Sequence, residues 1–544
     1  MLPKLWRRPV LLRLAVVLLT TCAVTALAYC WGSPLPYRIG ETSPHDLRVR
    51  IDFEVVNPVE LANQREGEAG QRPAVEKYTQ GTVLLPRGQP ITERQLVLLH
   101  EEHGAYLRSL NRRDRVYRGI GLFLVFSLLS ALIVLYVGRF QTGLAESLPT
   151  IAKVCALVVL TIALGVLLSR PPWHAVLIPL TVTAMILTLA YNPQFALLMS
   201  FSLTLAMSVV LGTDLRHLLE QMGGQATAVL LLRNVRTRTR LVQVGVGAGL
   251  AYLVMTVATG LLARQTWELM LSDAVRHFLW GTLAGFLLTG ALPLVEVFFG
   301  IVTDISLLEL ADGAHPLLQE LVRRAPGTYT HSITVATLAE AAAEAIGANP
   351  LLTRVGSYFH DVGKMLKPHY FIENQDGHNR HDDLEPALST LIIIGHVKDG
   401  EALARQYKLP QPIIDFIRQH HGTTLVEYFY REAMRLQESN GNNNCNLEPS
   451  FRYPGPKPQS RENGVLMLAD AVESASRALT VPTPGSLRKL VHDLLMKRLL
   501  DGQFEESGLT LTELHLVEES LCKSLTALFH ARIKYPEQVH EKAS

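Results

Sequence analysis

The stretch Gly119–Gly138, GIGLFLVFSLLSALIVLYVG, contains no charged residue over its twenty positions. A charge-free apolar run of this length can cross the hydrocarbon layer of a membrane as an α-helix. Similar runs occupy residues 195–212 and 241–263, and 48% of the 544 residues are hydrophobic. The repeated runs predict an all-α membrane protein, a polytopic helical bundle surrounded by the lipid bilayer.

The region 117–303 is predicted to hold seven spans. Six are clearly apolar, at residues 119–138, 151–169, 174–191, 195–212, 241–263 and 278–302. A weaker segment at 214–232 is apolar only over GQATAVLLL. The loop RNVRTRTR (233–240) carries four arginines and should be cytoplasmic, and two clear spans follow it, so the C-terminal region is also predicted to be cytoplasmic. If the preceding polar region is exported, an odd number of spans is required, and the weak segment then crosses as well.

The N-terminal residues 1–32 combine basic positions, among them Lys4, Arg8 and Arg13, with the apolar run Leu14–Trp31. This pattern is typical of a signal anchor or of a signal peptide, and Ala26-Leu27-Ala28 resembles a cleavage site, so both alternatives stay open. In either case the chain is predicted to be a multi-pass protein of the inner (plasma) membrane.

Residues 33–116 are polar and are predicted to form a small, mixed α/β extracytoplasmic domain. A short strand, a turn at Pro86-Arg87-Gly88 and a helix capped near Thr92 are indicated. So short a segment has little room for a core of its own.

Charge and cysteine content exclude two classes of function. The net charge is only +2, which gives no reason to expect a nucleic-acid polymer as a partner. Five scattered cysteines form no CxxC pair, so neither a disulfide framework nor a zinc–thiolate site is expected.

Residues 304–544 change to a soluble helical pattern, and histidines and aspartates stand at the predicted helix ends. His331 is expected to open a helix, His360-Asp361 to close the next one, and His420-His421 to end another. His396 lies 35 positions after Asp361, and Asp470 stands inside the apolar helical stretch VLMLADAVESA.

Imidazoles and carboxylates without thiolates suit two divalent first-row ions bridged by a carboxylate. Two such ions can clamp a phosphoester during hydrolysis. The alternative is that each histidine is an ordinary surface or core residue, and a second pair, His381-Asp382, shows that the dipeptide alone proves nothing. Asp470 favours the metal site, because an unpaired carboxylate among apolar side chains is costly.

The order of these residues is similar to that of the HD-domain phosphohydrolases. The local sequences resemble one branch, the 7TM-HD family of bacterial membrane-bound cyclic-di-AMP phosphodiesterases. The resemblance rests on YFHDVGKMLKPHYFIENQ (358–375), IIIGHVKDG (392–400), IRQHHGTTLVEYFY (417–430) and FRYPGPKPQSRENGVLMLADAVESASR (451–477). It covers most of 305–480, whereas the family's extracytoplasmic domain is typically much longer than the one here.

The resemblance implies the roles of individual residues. Asp361 would bridge two divalent metal ions, manganese or iron, and His360, Asp361 and Lys364 would form the catalytic group, with Lys364 steadying a phosphate. Arg452, Tyr453 and Lys457 would contact the substrate. The implied metal ligands are His331, His360, Asp361, His396, His420, His421 and Asp470.

The implied reaction is hydrolysis of the cyclic dinucleotide cyclic-di-AMP to the linear product pApA. The Gly-Tyr-Pro pattern of the cyclic-di-GMP branch does not follow His420-His421-Gly422, which favours cyclic-di-AMP. Two alternatives stay open: hydrolysis of another nucleotide such as cyclic-di-GMP, and a receptor-like signalling protein with a vestigial HD domain. A homodimer and an extracytoplasmic ligand are further partners that the sequence neither identifies nor excludes.

Overall fold

A computed structural model describes residues 8–31, 35, 37–43, 45–56, 75–233, 235–375, 377–439, 447–480 and 482–530. The chain divides into two compact units, Met1–Phe299 and Gly300–Ser544. The predicted all-α class is confirmed, since helices dominate both units and strands are few.

The first unit is built mainly from long apolar helices. They and the shorter helices between them are α1 (Arg8–Trp31), α2 (Glu93–Ser109), α3 (Arg112–Phe140), α4 (Thr142–Glu146), α5 (Leu148–Leu168), α6 (Leu177–Ala190), α7 (Pro193–Leu211), α8 (Leu215–Leu231), α9 (Arg238–Leu262) and α10 (Trp267–Phe299). Six of these, α1, α3, α5, α7, α9 and α10, are long and apolar enough to cross a membrane. Every predicted span in 117–303 coincides with a helix, and the weak segment forms α8, whose crossing stays a prediction.

Glycines let the last two helices of this unit pack backbone against backbone. A Cβ added to Gly245 would lie 2.7 Å from the Cα of Gly285, and one on Gly281 would lie 2.6 Å from the Cα of Gly249. Small residues are what close helix packing in a bilayer requires, because apolar side chains gain little from leaving lipid. The pair α9–α10 therefore forms a tightly packed part of the bundle.

The predicted strand, turn and helix before the bundle are confirmed. The strands β1 (Leu47–Arg48) and β4 (Val83–Leu85) pair antiparallel, as do β2 (Phe53–Val56) and β3 (Val75–Tyr78). Thr92 caps α2 through a reciprocal capping box with Gln95. A small core is present after all, formed by Val49, Phe53, Val55, Leu84, Leu85, Ile91, Leu98 and Leu99.

The second unit is helical throughout its described part. Its helices are α11 (Asp304–Leu310), α12 (Pro316–Arg324), α13 (Pro326–Ala345), α14 (Pro350–Phe359), α15 (Pro386–Gln406), α16 (Gln411–Gln419), α17 (Glu427–Ser439), α18 (Arg461–Ser476), α19 (Pro484–Leu500) and α20 (Leu511–His530). Short 3₁₀ turns at Val362–Leu366, Pro368–Tyr370 and Ile372–Asn374 follow α14, and another lies at Glu448–Phe451.

Two apolar clusters hold this unit together. One joins α13, α18, α19 and α20 through residues such as Leu338, Leu468 and Leu521. The other joins α12, α14 and α16 through residues such as Leu321 and Phe359. Because α13, α14, α16 and α18 carry six of the seven predicted ligands within them or at their ends, their packing fixes where those ligands lie.

Candidate metal centre

All seven predicted ligands lie together in the second unit. His360 caps the end of α14 and Asp361 follows it, while His420 caps the end of α16 and His421 follows. His396 lies within α15, Asp470 within α18, and His331 within α13 rather than at its start. Two helix ends and three helix interiors thus bring ligands from five helices to one buried position.

The ligands form two groups that share Asp361. One group contains Asp361, His396, His420 and His421, the other His331, His360, Asp361 and Asp470, and the ligand atoms of each lie within 4.8 Å of one another. Asp361 Oδ1 lies 3.3 Å from His396 Nε2 and 3.6 Å from His420 Nε2. Its Oδ2 lies 3.3 Å from His360 Nε2 and 3.5 Å from His331 Nε2. Each oxygen of one carboxylate therefore faces a different group, as a bridging ligand would.

Backbone carbonyls accept hydrogen bonds from the Nδ1 atoms of three of the imidazoles. With Nδ1 assigned as protonated, His360 donates to the carbonyl of Ser357 at 2.7 Å and His420 to that of Ile417 at 2.9 Å. His396 donates in the same way to Ile393 at 2.5 Å. This pattern leaves the Nε2 lone pairs free toward Asp361, and it is the outer support that metal-bound histidines commonly have.

A carboxylate supports the fourth imidazole, and the sequence did not single it out. His331 Nδ1 lies 2.6 Å from Glu473 Oε2, and His331 Nε2 lies 3.0 Å from Asp470 Oδ1. Glu473 is 3% exposed and also accepts from Arg477. The available signal was spacing, since Glu473 stands three residues after Asp470 on the same helix.

Buried polar atoms at the centre lack ordinary partners. Asp361 is 1% exposed and its Oδ2 forms an ion pair with Lys364, yet neither carboxylate oxygen takes part in a hydrogen bond of normal geometry. The same holds for Nε2 of His360, which is fully buried. Buried groups of this kind are costly unless something satisfies them, so the donor set fits divalent metal ions.

The pKa values of the central groups follow from burial and charge. Burial lowers the pKa of His420, and burial together with the repulsion that a protonated His420 would exert lowers the pKa of His421 well below its usual range. Both rings are therefore neutral near pH 7, as metal ligands must be. Burial alone would raise the pKa of Asp361, but the charges of His360 and Lys364 outweigh it and hold that pKa well below its usual range.

Gly363 explains why the chain after Asp361 can cross α15 so closely. A Cβ at this position would lie 1.9 Å from the carbonyl oxygen of His396 and 2.5 Å from the amide nitrogen of Gly400. Real Cβ atoms do not approach backbone so closely, and only glycine lets the Asp361 turn pack against the helix that carries His396.

The predicted catalytic and substrate-contacting residues divide into two kinds. Lys364 Nζ lies 2.7 Å from Asp361 Oδ2 and 3.1 Å from Glu373 Oε1, and the Tyr453 ring packs on His421 with centroids 4.3 Å apart. Both residues thus adjoin the ligand groups. Arg452 instead pairs with Glu448 at 2.7 Å and Asp501 at 3.0 Å, and Lys457 pairs with Glu505 at 2.9 Å.

The second His-Asp pair lies outside both ligand groups. His381 Nε2 lies 2.9 Å from the backbone carbonyl of Tyr370, and Asp382 is exposed and accepts from Asn379 at 2.9 Å. The structure therefore separates the two dipeptides by their surroundings.

Two family models match the chain. The model described as "7TM receptor with intracellular HD hydrolase" matches residues 116–303, and that described as "HD domain" matches residues 328–475. With six apolar helices, the first match identifies a membrane protein.

Individual proteins and solved structures are also similar to this chain. The chain is 35% identical over 477 residues to the cyclic-di-AMP phosphodiesterase PgpH of Bacillus subtilis (strain 168), covering 84% of this chain and 65% of that protein. It is 35% identical over 495 residues to PgpH of Listeria monocytogenes, covering 88% and 66%. The crystal structure of the L. monocytogenes PgpH HD domain in complex with cyclic-di-AMP matches at 46% identity over 41% of this chain and 100% of that one, with a TM-score of 0.38. The chain thus spans slightly less than two thirds of the length of these curated relatives.

Proposed function

Since the chain belongs to the 7TM-HD family, we propose that it is a metal-dependent phosphodiesterase that hydrolyses cyclic-di-AMP to pApA. The observation that carries the proposal is the position of Asp361, whose two carboxylate oxygens face two separate groups of imidazoles at 3.3–3.6 Å. The names of the two PgpH relatives support cyclic-di-AMP as the substrate.

Seven side chains would hold two divalent ions, manganese or iron. His396, His420 and His421 would hold one ion, His331, His360 and Asp470 the other, with Asp361 between them. When bound, the ions supply an activated water and positive charge to the phosphoryl oxygens. The hydrolysis would add the oxygen of that water to one phosphorus and break one bond from phosphorus to a ribose oxygen.

The remaining residues would position these ligands and the substrate. The carbonyls behind His360, His396 and His420 fix the ring orientation, and Glu473 does the same for His331. Lys364 would keep Asp361 ionised and add positive charge near the phosphate, because its ammonium lies 2.7 Å from that carboxylate. The Tyr453 ring, packed on His421, would form a wall of the site.

Arg452 has a different role in this proposal from the one the family resemblance implied. Its guanidinium is held by two carboxylates and also donates to the carbonyl of Thr423 at 2.8 Å. These contacts would let it shape the loop that carries Tyr453, while leaving few donors for a phosphate.

The family relationship also supports a location for the enzyme. We place it in the inner membrane with the HD domain in the cytoplasm, because the basic loop at 233–240 should face that side. The extracytoplasmic segment and the bundle would then carry a signal to the enzyme.

The test is hydrolysis by the purified full-length chain in lipid nanodiscs with Mn²⁺, followed by separation of the nucleotides. We expect cyclic-di-AMP to give pApA, and cyclic-di-GMP in equal amount to turn over much more slowly. Equal turnover of both would point to a different substrate. No hydrolysis by a chain shown to contain metal would favour a vestigial domain.

A further inference from the structure

A cavity of about 590 Å³ opens in the first unit, far along the sequence from the metal ligands. It lies where α1, α5 and α7 end and α6 and α8 begin, and α10 begins at the same end of the bundle. Its size is in the range of pockets that hold small molecules. Apolar side chains form much of its wall, among them Leu35, Leu177 and Leu211.

Specific contacts hold residues 37–43, which lie beside this cavity, against the helices of the first unit. Arg38 Nη1 lies 3.0 Å from Asp273 Oδ1, and Thr42 donates to the carbonyl of Ala263 at 2.8 Å. Glu41 also forms a buried ion pair with Arg216. Residues more than 170 positions apart in the chain are thus joined around the opening, so the cavity is a fixed feature of the first unit.

Glu220 is an acid that forms no ion pair with any residue the structure describes, although Arg216 and His217 stand four and three positions before it on the same helix. It lines the cavity, is 6% exposed, and accepts a hydrogen bond at Oε1 from Thr259 at 2.5 Å. Within the described residues, no lysine, arginine or histidine nitrogen lies within 4.0 Å of its carboxylate. An ionisable group inside a membrane bundle is costly and usually marks a functional site. Glu220 therefore offers a place for a cationic or hydrogen-bond-donating group.

Arg170 is a positively charged residue that lines the same cavity. Its guanidinium lies over the ring of Trp31, 4.0 Å from the centroid, and both residues line the cavity. In the part of the chain that the structure describes, no carboxylate lies within 4.0 Å of it. Such a planar cation, with donors to spare, suits a carboxylate.

Gln221 adds an unsatisfied neutral group beside Glu220. It is 4% exposed, lines the cavity, and its Oε1 has no hydrogen-bond partner among the described residues. A buried amide oxygen without a partner is rare in folded proteins. A ligand with its own N–H group would satisfy it.

We propose that this cavity binds a small zwitterion with an apolar body, such as an apolar amino acid or a short apolar peptide. The ammonium would pair with Glu220, the carboxylate with Arg170, and a peptide N–H with Gln221, while the apolar body packs on Leu177 and Leu211. A purely anionic molecule would leave Glu220 facing like charge. A purely cationic one would leave Arg170 without a partner.

The test is calorimetric titration of the full-length chain in lipid nanodiscs with a matched set of probes. Leucine and the dipeptide Leu-Leu carry both charges, N-acetyl-Leu-Leu keeps only the carboxylate, and Leu-Leu amide keeps only the ammonium. We expect Leu-Leu to bind and each of its two blocked forms to bind about tenfold more weakly, the usual cost of losing one charged hydrogen bond.

Two substitutions locate the site. Glu220→Gln should remove the preference for Leu-Leu over N-acetyl-Leu-Leu, and Arg170→Gln should remove the preference over Leu-Leu amide. Arg170 is exposed and has no ion pair among the described residues to lose, so that variant keeps the test decisive if Glu220→Gln fails to fold. The matched control is Arg139→Gln, an exposed arginine that does not line the cavity and should leave every affinity unchanged.

Three results would overturn the proposal. The first is that no probe binds to the wild-type chain. The second is that all three Leu-Leu forms bind equally well. The third is that Arg170→Gln keeps the wild-type preference against the amide.

Discussion

His360-Asp361 and His381-Asp382 are the same dipeptide, 21 positions apart, in two different surroundings. Asp361 is buried, with four imidazole nitrogens within 3.6 Å and an ammonium at 2.7 Å. Asp382 is exposed and accepts from one asparagine, while His381 is held by a backbone carbonyl. Under the proposed function, a His-Asp pair would hold metal only where other helices bring further ligands to it, so substitutions at the two pairs should have very different effects.

The largest effect should come from removing the carboxylate of one pair and not of the other. Asp361→Ala should lower the rate of cyclic-di-AMP hydrolysis by at least about a thousandfold, because several kcal/mol of transition-state stabilisation depend on the metal pair. Asp382→Ala, the matched control, should leave the rate within about twofold, as surface substitutions usually change little. A large loss of the hydrolysis rate in both variants would show that the two His-Asp pairs do not differ in function.

The second-largest effect, on the stability of the fold, is expected at Gly363, which lies two positions after Asp361. Gly363→Ala places a Cβ against the backbone of α15 and should destabilise the HD domain by about 3 kcal/mol. Gly395→Ala is the control beside His396, because a Cβ there meets nothing within 4 Å and alanine favours a helix by up to about 1 kcal/mol. The measurement is the thermal unfolding transition that responds to Mn²⁺. Equal midpoints for the two variants would contradict the close approach of the Asp361 turn to α15.

Glu473 should have an intermediate effect through His331. Glu473→Gln removes the charge that orients the His331 ring at 2.6 Å and should weaken metal binding by about 10–100-fold. Titration of the metal-stripped chain with Mn²⁺ measures the affinity. Unchanged affinity together with unchanged hydrolysis would show that Glu473 is only a partner of Arg477.

The smallest effect is expected at Lys457. Its ion pair with Glu505 lies at the surface, where such pairs contribute roughly 0–1 kcal/mol. Lys457→Ala should therefore change kcat/KM by about twofold or less. A rise in KM of tenfold or more, with kcat unchanged, would restore Lys457 as the substrate contact that the family resemblance implied.

Much of this architecture could be predicted because its signals are local. Charge-free runs predicted the membrane helices, and the capping residue Thr92 predicted where α2 begins. The seven candidate ligands could be found because two pairs stand at helix ends and Asp470 stands among apolar residues, where an unpaired carboxylate is costly. The family resemblance then implied that all seven bind the same pair of metal ions.

The parts that could not be predicted depend on contacts between distant residues. Glu473 was missed because a glutamate four residues before Arg477 looks like an ordinary helix-surface ion pair. The two acids that hold Arg452 include Asp501, 49 positions away, which no local pattern reveals. The cavity beside Glu220 exists only because residues 37–43 fold back onto α8 and α10, a contact that spans 235 positions between Arg38 and Asp273.

The central claim, that Asp361 bridges two metal ions, is tested most directly by counting metal in the purified full-length chain. Elemental analysis after dialysis with Mn²⁺ should give two ions per chain for the wild type and for Asp382→Ala. For Asp361→Ala it should give fewer than one, because both groups lose their shared ligand. Two ions retained in Asp361→Ala, or one in the wild type, would contradict the bridge.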